Sequence, residues 1–386
     1  MTRTRVLHLG KYYPPVSGGM ETVLETLCRH EQRWVDTRAL VMTKAHRTVH
    51  QTLEGVPVTR VGSVATIGAV SVAPTLPIWL ARASPDLIVL HEPNPMALVA
   101  YFLARPTAPL VVWYHSEVIR PRWRYRVFYQ PFLEFALRRA ECIIVSSPPM
   151  RDVPSVLPYR AKCVVVPYGL EIDRYKASPA VTAKAKGLRG NTRVPILLFV
   201  GRLVSYKGLD VLLRALPGIS AKAVLIGDGP LRSSLEALTR ELRVADRVRF
   251  MGEVPDEELL TWYHACDALV LPSVSRQEAF GIVQLEAMAC GKPVVSTDLP
   301  TGVSWVNQHE RTGLVVRAGD VTALRAALAR LVCNEDLRER LGTTAHARVM
   351  NHFAAERMCE AACSIYQQVC GSVPATQPQP AHSNLL

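Results

Sequence analysis

Residues 267–298 read DALVLPSVSRQEAFGIVQLEAMACGKPVVSTD, and this stretch sets the architecture of the chain. DALVLP has the apolar continuity of a buried strand, and SVSRQE is turn-like. The run from Phe280 or Gly281 to Cys290 has helical character and stops at Gly291. PVVSTD then opens another strand. Strand, helix and strand in succession imply a parallel sheet covered on both faces. Two carboxylates flank the helix start: Glu278 in the loop before it and Glu286, eight positions on, within it.

The same rhythm extends in both directions. Upstream, RVLHLG, DTRALVMT, DLIVLHE, PLVVWYHS, ECIIVSS and AKCVVVPYG read as buried strands, several ending in a turn residue, with helical stretches such as METVLETLCRHEQ between them. Residues 171–195 are polar, small and punctuated by proline and glycine, as a linker is. ILLFVGR, KAVLIGD, RVRFMGE, DALVLPS, PVVSTD and TGLVVRA then renew the alternation. The fold class expected is therefore α/β, with two doubly wound domains facing each other across a cleft at the carboxyl ends of their strands. The boundaries expected are a first domain at 1–172, a linker at 173–192, a second domain at 193–350, a last helix at 351–370 and a disordered tail at 371–386.

Composition narrows the class further. A chain of 386 residues, 49% hydrophobic and 20% charged, supports two globular cores. The formal charge of +12 favours partners bearing phosphate, but no nucleic-acid-binding module signature accompanies it. The 9 cysteines include no CxxC pair, which argues against a zinc site or a disulfide framework and fits a cytoplasmic setting. The apolar run at the start, Val6–Leu9, is too short for a signal-peptide core, and no stretch approaches a membrane span.

Four features can carry chemistry. Ser17, Gly18 and Gly19 lie between the first strand and its helix, where uncovered backbone amides suit an anion; a plain loop fits equally. In FVGRLVSYKGLDVLL, Arg202 and Lys207 follow a strand end, where two cations can neutralise a diphosphate or simply face solvent. Gly281 leaves the first-turn amides of its helix open, so a phosphate docked there would have Glu278 on one side and Glu286 on the other. Taken by spacing alone, that pair is more economically read as a helix-start acid and an exposed helical glutamate. His115 ends another strand, a position that serves structure or catalysis. No GxGxxG fingerprint, Walker A loop or D-x-D motif is present.

Taken in this order, the features resemble the retaining, nucleotide-sugar-dependent glycosyltransferases of the two-Rossmann GT-B architecture. More narrowly, the chain looks like the bacterial mannosyl/rhamnosyltransferases of O-antigen and exopolysaccharide synthesis. The resemblance runs from HLGKYYPPVSGGMETV to the last helix, and its most specific part is the E-x7-E stretch SRQEAFGIVQLEAMACGKPVVSTDLPTGV. It implies that Gly18 and Gly19 approach phosphate and that Arg202 and Lys207 grip the donor diphosphate. By the same resemblance Glu278 binds the transferred sugar, Glu286 the ribose, and Glu253 and Val254 neighbour the base. Phe280, Gly281 and Ile282 would give backbone contacts to sugar and phosphates, and His115 would lie near the sugar 6-hydroxyl and the reaction centre. It further implies metal independence, no cofactor beyond the donor, and a last helix returning to the first domain. GDP-mannose is the donor expected, with UDP- or dTDP-sugars and a sugar-nucleotide epimerase as alternatives. The segment IRPRWRYRVFYQPFLEF interleaves Arg120, Arg122, Arg124 and Arg126 with Trp123, Tyr125, Phe128, Tyr129 and Phe132. It suits an anionic membrane surface on the cytoplasmic face and a lipid-linked glycan acceptor; an ordinary helix with solvated arginines is the other reading.

Overall fold

The structure is a computed structural model that describes residues 3–16, 18–67, 70–118, 125, 127–190 and 193–371. Its first half alternates strands and helices: β1 (Arg5–Leu9), α1 (Gly19–Glu31), β2 (Asp36–Met42), β3 (Val49–Leu53), β4 (Val56–Val61), β5 (Ala65–Ile67) and β6 (Val70–Val72). Then come α2 (Leu76–Arg82), β7 (Leu87–Glu92), α3 (Pro95–Ala104), β8 (Leu110–Tyr114), α4 (Gln130–Arg139), β9 (Cys142–Val145) and β10 (Cys163–Val165). Eight of these strands form one sheet in the order β10-β9-β8-β7-β1-β2-β4-β3, parallel except for the edge strand β3. The β3–β4 hairpin, absent from the strands read in the sequence, has only partly apolar strands because β3 lies at an edge and is largely exposed.

The second half runs α5 (Pro179–Arg189), β11 (Ile196–Val200), α6 (Leu209–Ala215), β12 (Lys222–Ile226), α7 (Arg232–Glu241), β13 (Val248–Gly252) and α8 (Asp256–Ala265). It continues with β14 (Ala268–Leu271), α9 (Ile282–Ala289), β15 (Val294–Asp298), α10 (Gly302–Val306), β16 (Gly313–Arg317), α11 (Val321–Cys333) and α12 (Glu335–His352). Its six strands are all parallel, in the order β13-β12-β11-β14-β15-β16. In each sheet the order reverses beside the first strand, at β1/β7 and at β11/β14. Loops leaving adjacent strands there part to opposite faces and open a crevice, the usual ligand seat of such sheets. The core strands are near-continuous apolar runs because helices cover both their faces.

The segment between the sheets is more structured than its polar composition suggests. Ser178 caps α5 by accepting from the Val181 amide at 3.2 Å, Pro179 occupies the first turn, and α5 packs on α8. At the far end, α13 (Ala355–Val369) packs against α1 of the first sheet's layer. The crossing is tied by backbone bonds from the Leu170 amide to the Phe353 carbonyl, and from the Ala355 amide back to the Leu170 carbonyl, both 2.8 Å. Phe280 and Phe353 from the second half join Tyr168 and Trp113 from the first in one continuous core. Among the described residues no helix is long and apolar enough to cross a membrane, and all nine cysteines are free.

Candidate active site

Two loops at the β11/β14 reversal bring the predicted phosphate and sugar residues together. After β11 the chain turns through Gly201 and Arg202 to Lys207; after β14 it passes Ser273 and reaches Glu278. The loops meet because Gly208 adopts φ +66°, and a Cβ there would lie 2.1 Å from the Pro272 carbonyl oxygen, so only glycine allows the approach. Lys207 Nζ then sits 2.5 Å from Glu278 Oε2, with both side chains buried, and the Ser273 hydroxyl donates to the same oxygen at 2.9 Å. Burial opposes the Lys207 charge, but the Glu278 carboxylate outweighs it, and the ammonium is held above its ordinary range. Arg202 is exposed at the rim.

The Glu278 loop is pinned from behind. Thr301 Oγ1 donates to the Glu278 carbonyl at 2.8 Å, and the Gly302 amide donates to the Ala279 carbonyl at 2.7 Å. The loop ends at Gly281, which caps α9 with φ +72°. The first amides of α9, at Ile282 and Val283, have no intrahelical acceptor and carry the positive end of the helix dipole. Across the cleft, Gly19 at the start of α1 comes so close that a Cβ on it would lie 3.5 Å from Ile282 Cδ1. The glycine loop of the first sheet therefore faces the α9 terminus, with Gly18 as the N-cap of α1.

Glu286 lies one turn into α9 and is partly buried. The Tyr263 hydroxyl donates to its Oε2, and Tyr175 also faces the carboxylate. Burial pushes its pKa up, while the two phenols work against that rise. Neither tyrosine stood out in the sequence, because each belongs to a different element from Glu286. Glu253 and Val254 follow β13, the first exposed and the second packed partly against the core.

His115 is less free than its place at a strand end suggests. It is 3% exposed, with Nδ1 2.7 Å from the Tyr168 hydroxyl and Nε2 2.9 Å from His91 Nδ1. Both ring nitrogens are thus engaged within the protein, so a sugar hydroxyl reaches this ring only by replacing Tyr168. Burial pushes the His115 pKa down to about 3 and holds that of His91 well below its ordinary value. Both must charge when the chain unfolds in acid. Because the folded values lie below the unfolded 6.5, stability is complete above pH 6.5 and is lost as pH falls toward about 3. A urea series between pH 7 and pH 4 is expected to show this loss, with a shallower slope in His115→Asn.

Among the described residues one group, His8, Cys28 and Glu31, brings three potential ligand atoms within 4.8 Å. Its His8–Glu31 hydrogen bond of 2.5 Å already joins two of them, and burial keeps the Cys28 thiol protonated. Its members come from β1 and α1, beneath α13. Of the membrane-facing set, Arg120, Arg122, Trp123, Arg124 and Arg126 lie outside the described residues. The described aromatics of that stretch divide. Tyr129 is buried and donates to Glu92 at 2.7 Å, and Phe132 stacks edge-on with Phe102, whereas Phe128 is exposed.

The family model described as Glycosyl transferases group 1 matches residues 182–348, and that described as Glycosyl transferase 4-like domain matches residues 18–169. The D-rhamnosyltransferase WbpZ of Pseudomonas aeruginosa is 35% identical over 358 residues, spanning 91% of this chain and 92% of that protein. The chain belongs to the group 1 glycosyltransferases. It is a retaining enzyme with a nucleotide-sugar donor, as the family is. The O-antigen chain mannosyltransferase C of Escherichia coli is 30% identical over 371 residues, 94% of this chain and 98% of its own. Among solved structures, the sucrose-phosphate synthase of Thermosynechococcus elongatus superposes with a TM-score of 0.81 at 21% identity, covering 96% of this chain and 100% of its own. That likeness establishes the two-Rossmann GT-B fold for this glycosyltransferase.

Proposed function

We propose that this glycosyltransferase moves a manno-configured hexose, mannose in the first instance, from its GDP-linked donor to a lipid-linked glycan in cell-surface polysaccharide synthesis. The observation that carries the reading is the Lys207–Glu278 pair beside the open N-terminus of α9, facing Gly19 across the cleft. Arg202, Lys207 and the Ile282 amide surround one seat for the diphosphate. Glu278 is held there by one oxygen, Oε2, and turns Oε1 to a sugar hydroxyl. Glu286, oriented by Tyr263, takes the ribose, and Glu253 and Val254 border the base. As the C1–O bond to phosphate breaks, the departing oxygen gains charge that the two cations and the helix terminus stabilise. The acceptor hydroxyl attacks C1 from the same face and gives its proton to that phosphate oxygen, so the configuration is retained.

Mannose and D-rhamnose, named for the two relatives above, share the manno configuration and differ at C6. That supports a pocket matched to C2–C4 and leaves the 6-hydroxyl near Tyr168 and His115 as the point of choice. GDP-D-rhamnose is the second donor by this reading. The basic stretch Arg120–Arg126, followed by the exposed Val127 and Phe128, is suited to the anionic surface on which a polyprenyl diphosphate would be presented. Incubation with GDP-mannose alone tests the chemistry. Slow release of GDP and mannose supports transfer; conversion to a different GDP-hexose without GDP release would make the protein an epimerase instead.

The two glutamates have unequal roles. Glu286→Ala is expected to raise the donor KM about a hundredfold with little change in kcat, since a charged hydrogen bond of about 1.5–3 kcal/mol to the ribose is lost. Glu286→Gln, which can still accept from Tyr263, is expected to raise it only about tenfold. Glu278→Ala is expected to act chiefly on kcat. A larger fall in kcat for the Glu286 variants than for Glu278→Ala would reverse the assignment.

A further inference from the structure

Three histidines stand in a buried row behind the site. His8 is near the end of β1, His91 near the end of β7, and His115 just beyond β8. Alternation along the strands puts His8 and His91 on the same sheet face as Val6, Val89 and Trp113, under α1 and α13. The contacts are continuous. Glu31 Oε1 lies 2.5 Å from His8 Nε2, His8 Nδ1 is 2.9 Å from His91 Nε2, and His91 Nδ1 is 2.9 Å from His115 Nε2. His115 Nδ1 completes the row at the Tyr168 hydroxyl, 2.7 Å away. Glu31, His8 and His91 are each no more than 1% exposed, and none of them touches the donor seat described above.

A neutral imidazole donates from one nitrogen and accepts at the other, so such a row runs in one direction only. If Glu31 is ionised, every bond points toward it, and Tyr168 donates to His115. If the Glu31–His8 pair holds one more proton, every bond beyond His8 points the other way. The surroundings decide between these. Glu31 accepts from the Thr37 hydroxyl at 2.8 Å and is otherwise enclosed by Cys28 and by Cys359, Cys363 and Tyr366. Its Oε2 has no hydrogen-bond partner, and no Lys or Arg forms an ion pair with it among the described residues. A net negative charge buried there lacks the compensation it needs. Retaining one proton makes the pair neutral overall, and burial keeps His91 and His115 neutral beyond it.

We propose that the row runs outward from Glu31, with His8 Nδ1 donating to His91, His91 Nδ1 to His115, and His115 Nδ1 to the Tyr168 oxygen. Tyr168 must then give its own O–H to another acceptor. Its ring lies 4.8 Å from that of Phe280, immediately before the α9 cap, so the row fixes a hydrogen-bond donor beside the donor site. Glu31, His8 and His91 are positioning residues that act through His115 and Tyr168. Their functional consequence rests on the donor site proposed above; the direction of the row does not.

Nitrogen-15 spectra of histidine-labelled protein, without ligand at pH 7, read the direction itself. His91 and His115 are expected as Nδ1–H tautomers; an Nε2–H tautomer at His115 overturns the proposal whatever the donor proves to be. Two variants read the consequence, with GDP-mannose turnover as the probe. Glu31→Gln can donate an amide N–H to His8 as a protonated carboxyl does, so it is expected to keep the His115 tautomer and to keep kcat within about threefold. Glu31→Met can neither donate nor accept, and is expected to mix the tautomers and lower kcat about tenfold with KM nearly unchanged. Equal damage by Gln and Met would mean that an ionised carboxylate is required, contradicting the proposal. Wild-type tautomers and kcat in both variants, with only a lower melting temperature, would reduce the row to a structural one and equally contradict it.

Discussion

Lys207→Met is expected to lower kcat/KM for the donor about a thousandfold, the largest loss from any single change in the site. Two effects combine. The side chain places a cation beside the seat proposed for the leaving diphosphate, where water is excluded and charge counts for more than in solution. It also neutralises Glu278, 2.5 Å away in a buried setting, and breaking a buried pair from one side costs about 3–5 kcal/mol. The stranded carboxylate would lose the partner that fixes its position, and the sugar contact proposed for it would weaken. Lys207→Met with Glu278→Gln is therefore expected to melt closer to wild type than Lys207→Met does, while remaining as inactive. Steady-state kinetics and melting curves on the three variants separate the two effects; additive losses in stability would mean that the pair is not coupled.

Gly281→Ala is the second large effect. A Cβ there would lie 2.6 Å from Leu271 Cδ2 and 2.9 Å from Gln284 Nε2, and the residue sits at φ +72°. The left-handed conformation alone costs about 1–2 kcal/mol for alanine, and the contact with Leu271 adds to it. Gln284 is itself committed, donating to the Phe280 carbonyl at 2.8 Å. Relief therefore comes by moving the start of α9, which carries the amides proposed to receive phosphate. The variant is expected to melt about 5 °C lower and to bind GDP about tenfold more weakly. Gly291→Ala, also at positive φ but with nothing within 4 Å of its Cβ, is the control. It should lose some stability and retain GDP affinity. Equal losses of affinity in both would remove the special role of Gly281.

Much of this was legible in the sequence, for a physical reason. Parallel strands buried on both faces are written as unbroken apolar runs, and their carboxyl ends as turn residues, so β1, β7, β8, β11 and β14 and the loops after them stand out. Glu278, Lys207 and Gly281 each fall at such an end. What the one-dimensional pattern does not carry is which strands are neighbours. Lys207 and Glu278 meet because β11 pairs with β14 although α6, β12, α7, β13 and α8 intervene in the chain, and Tyr263 reaches Glu286 from α8. The histidine row has a visible signal in VLHLG, VLHEP and WYHSE, three strand ends each closing on histidine. It becomes a row only once β1, β7 and β8 are known to be adjacent. Helix α5 was masked by small polar residues, although Ser178 followed by Pro179 is a helix start. In the basic aromatic stretch, alternating composition hid a divided fate: Tyr129 and Phe132 turn inward and Phe128 outward.

The central claim, a GDP-linked donor seated between Lys207, Arg202 and the start of α9, is tested most directly by the shift in melting temperature with different sugar nucleotides. At about a hundred times its Kd, a ligand bound only by the folded state adds about 2.7 kcal/mol of stability. GDP-mannose is expected to raise the melting temperature of the wild type, UDP-glucose and dTDP-sugars to leave it unchanged, and Lys207→Met to abolish the rise. Stabilisation by UDP-sugars alone, or an undiminished GDP-mannose shift in Lys207→Met, would contradict the account.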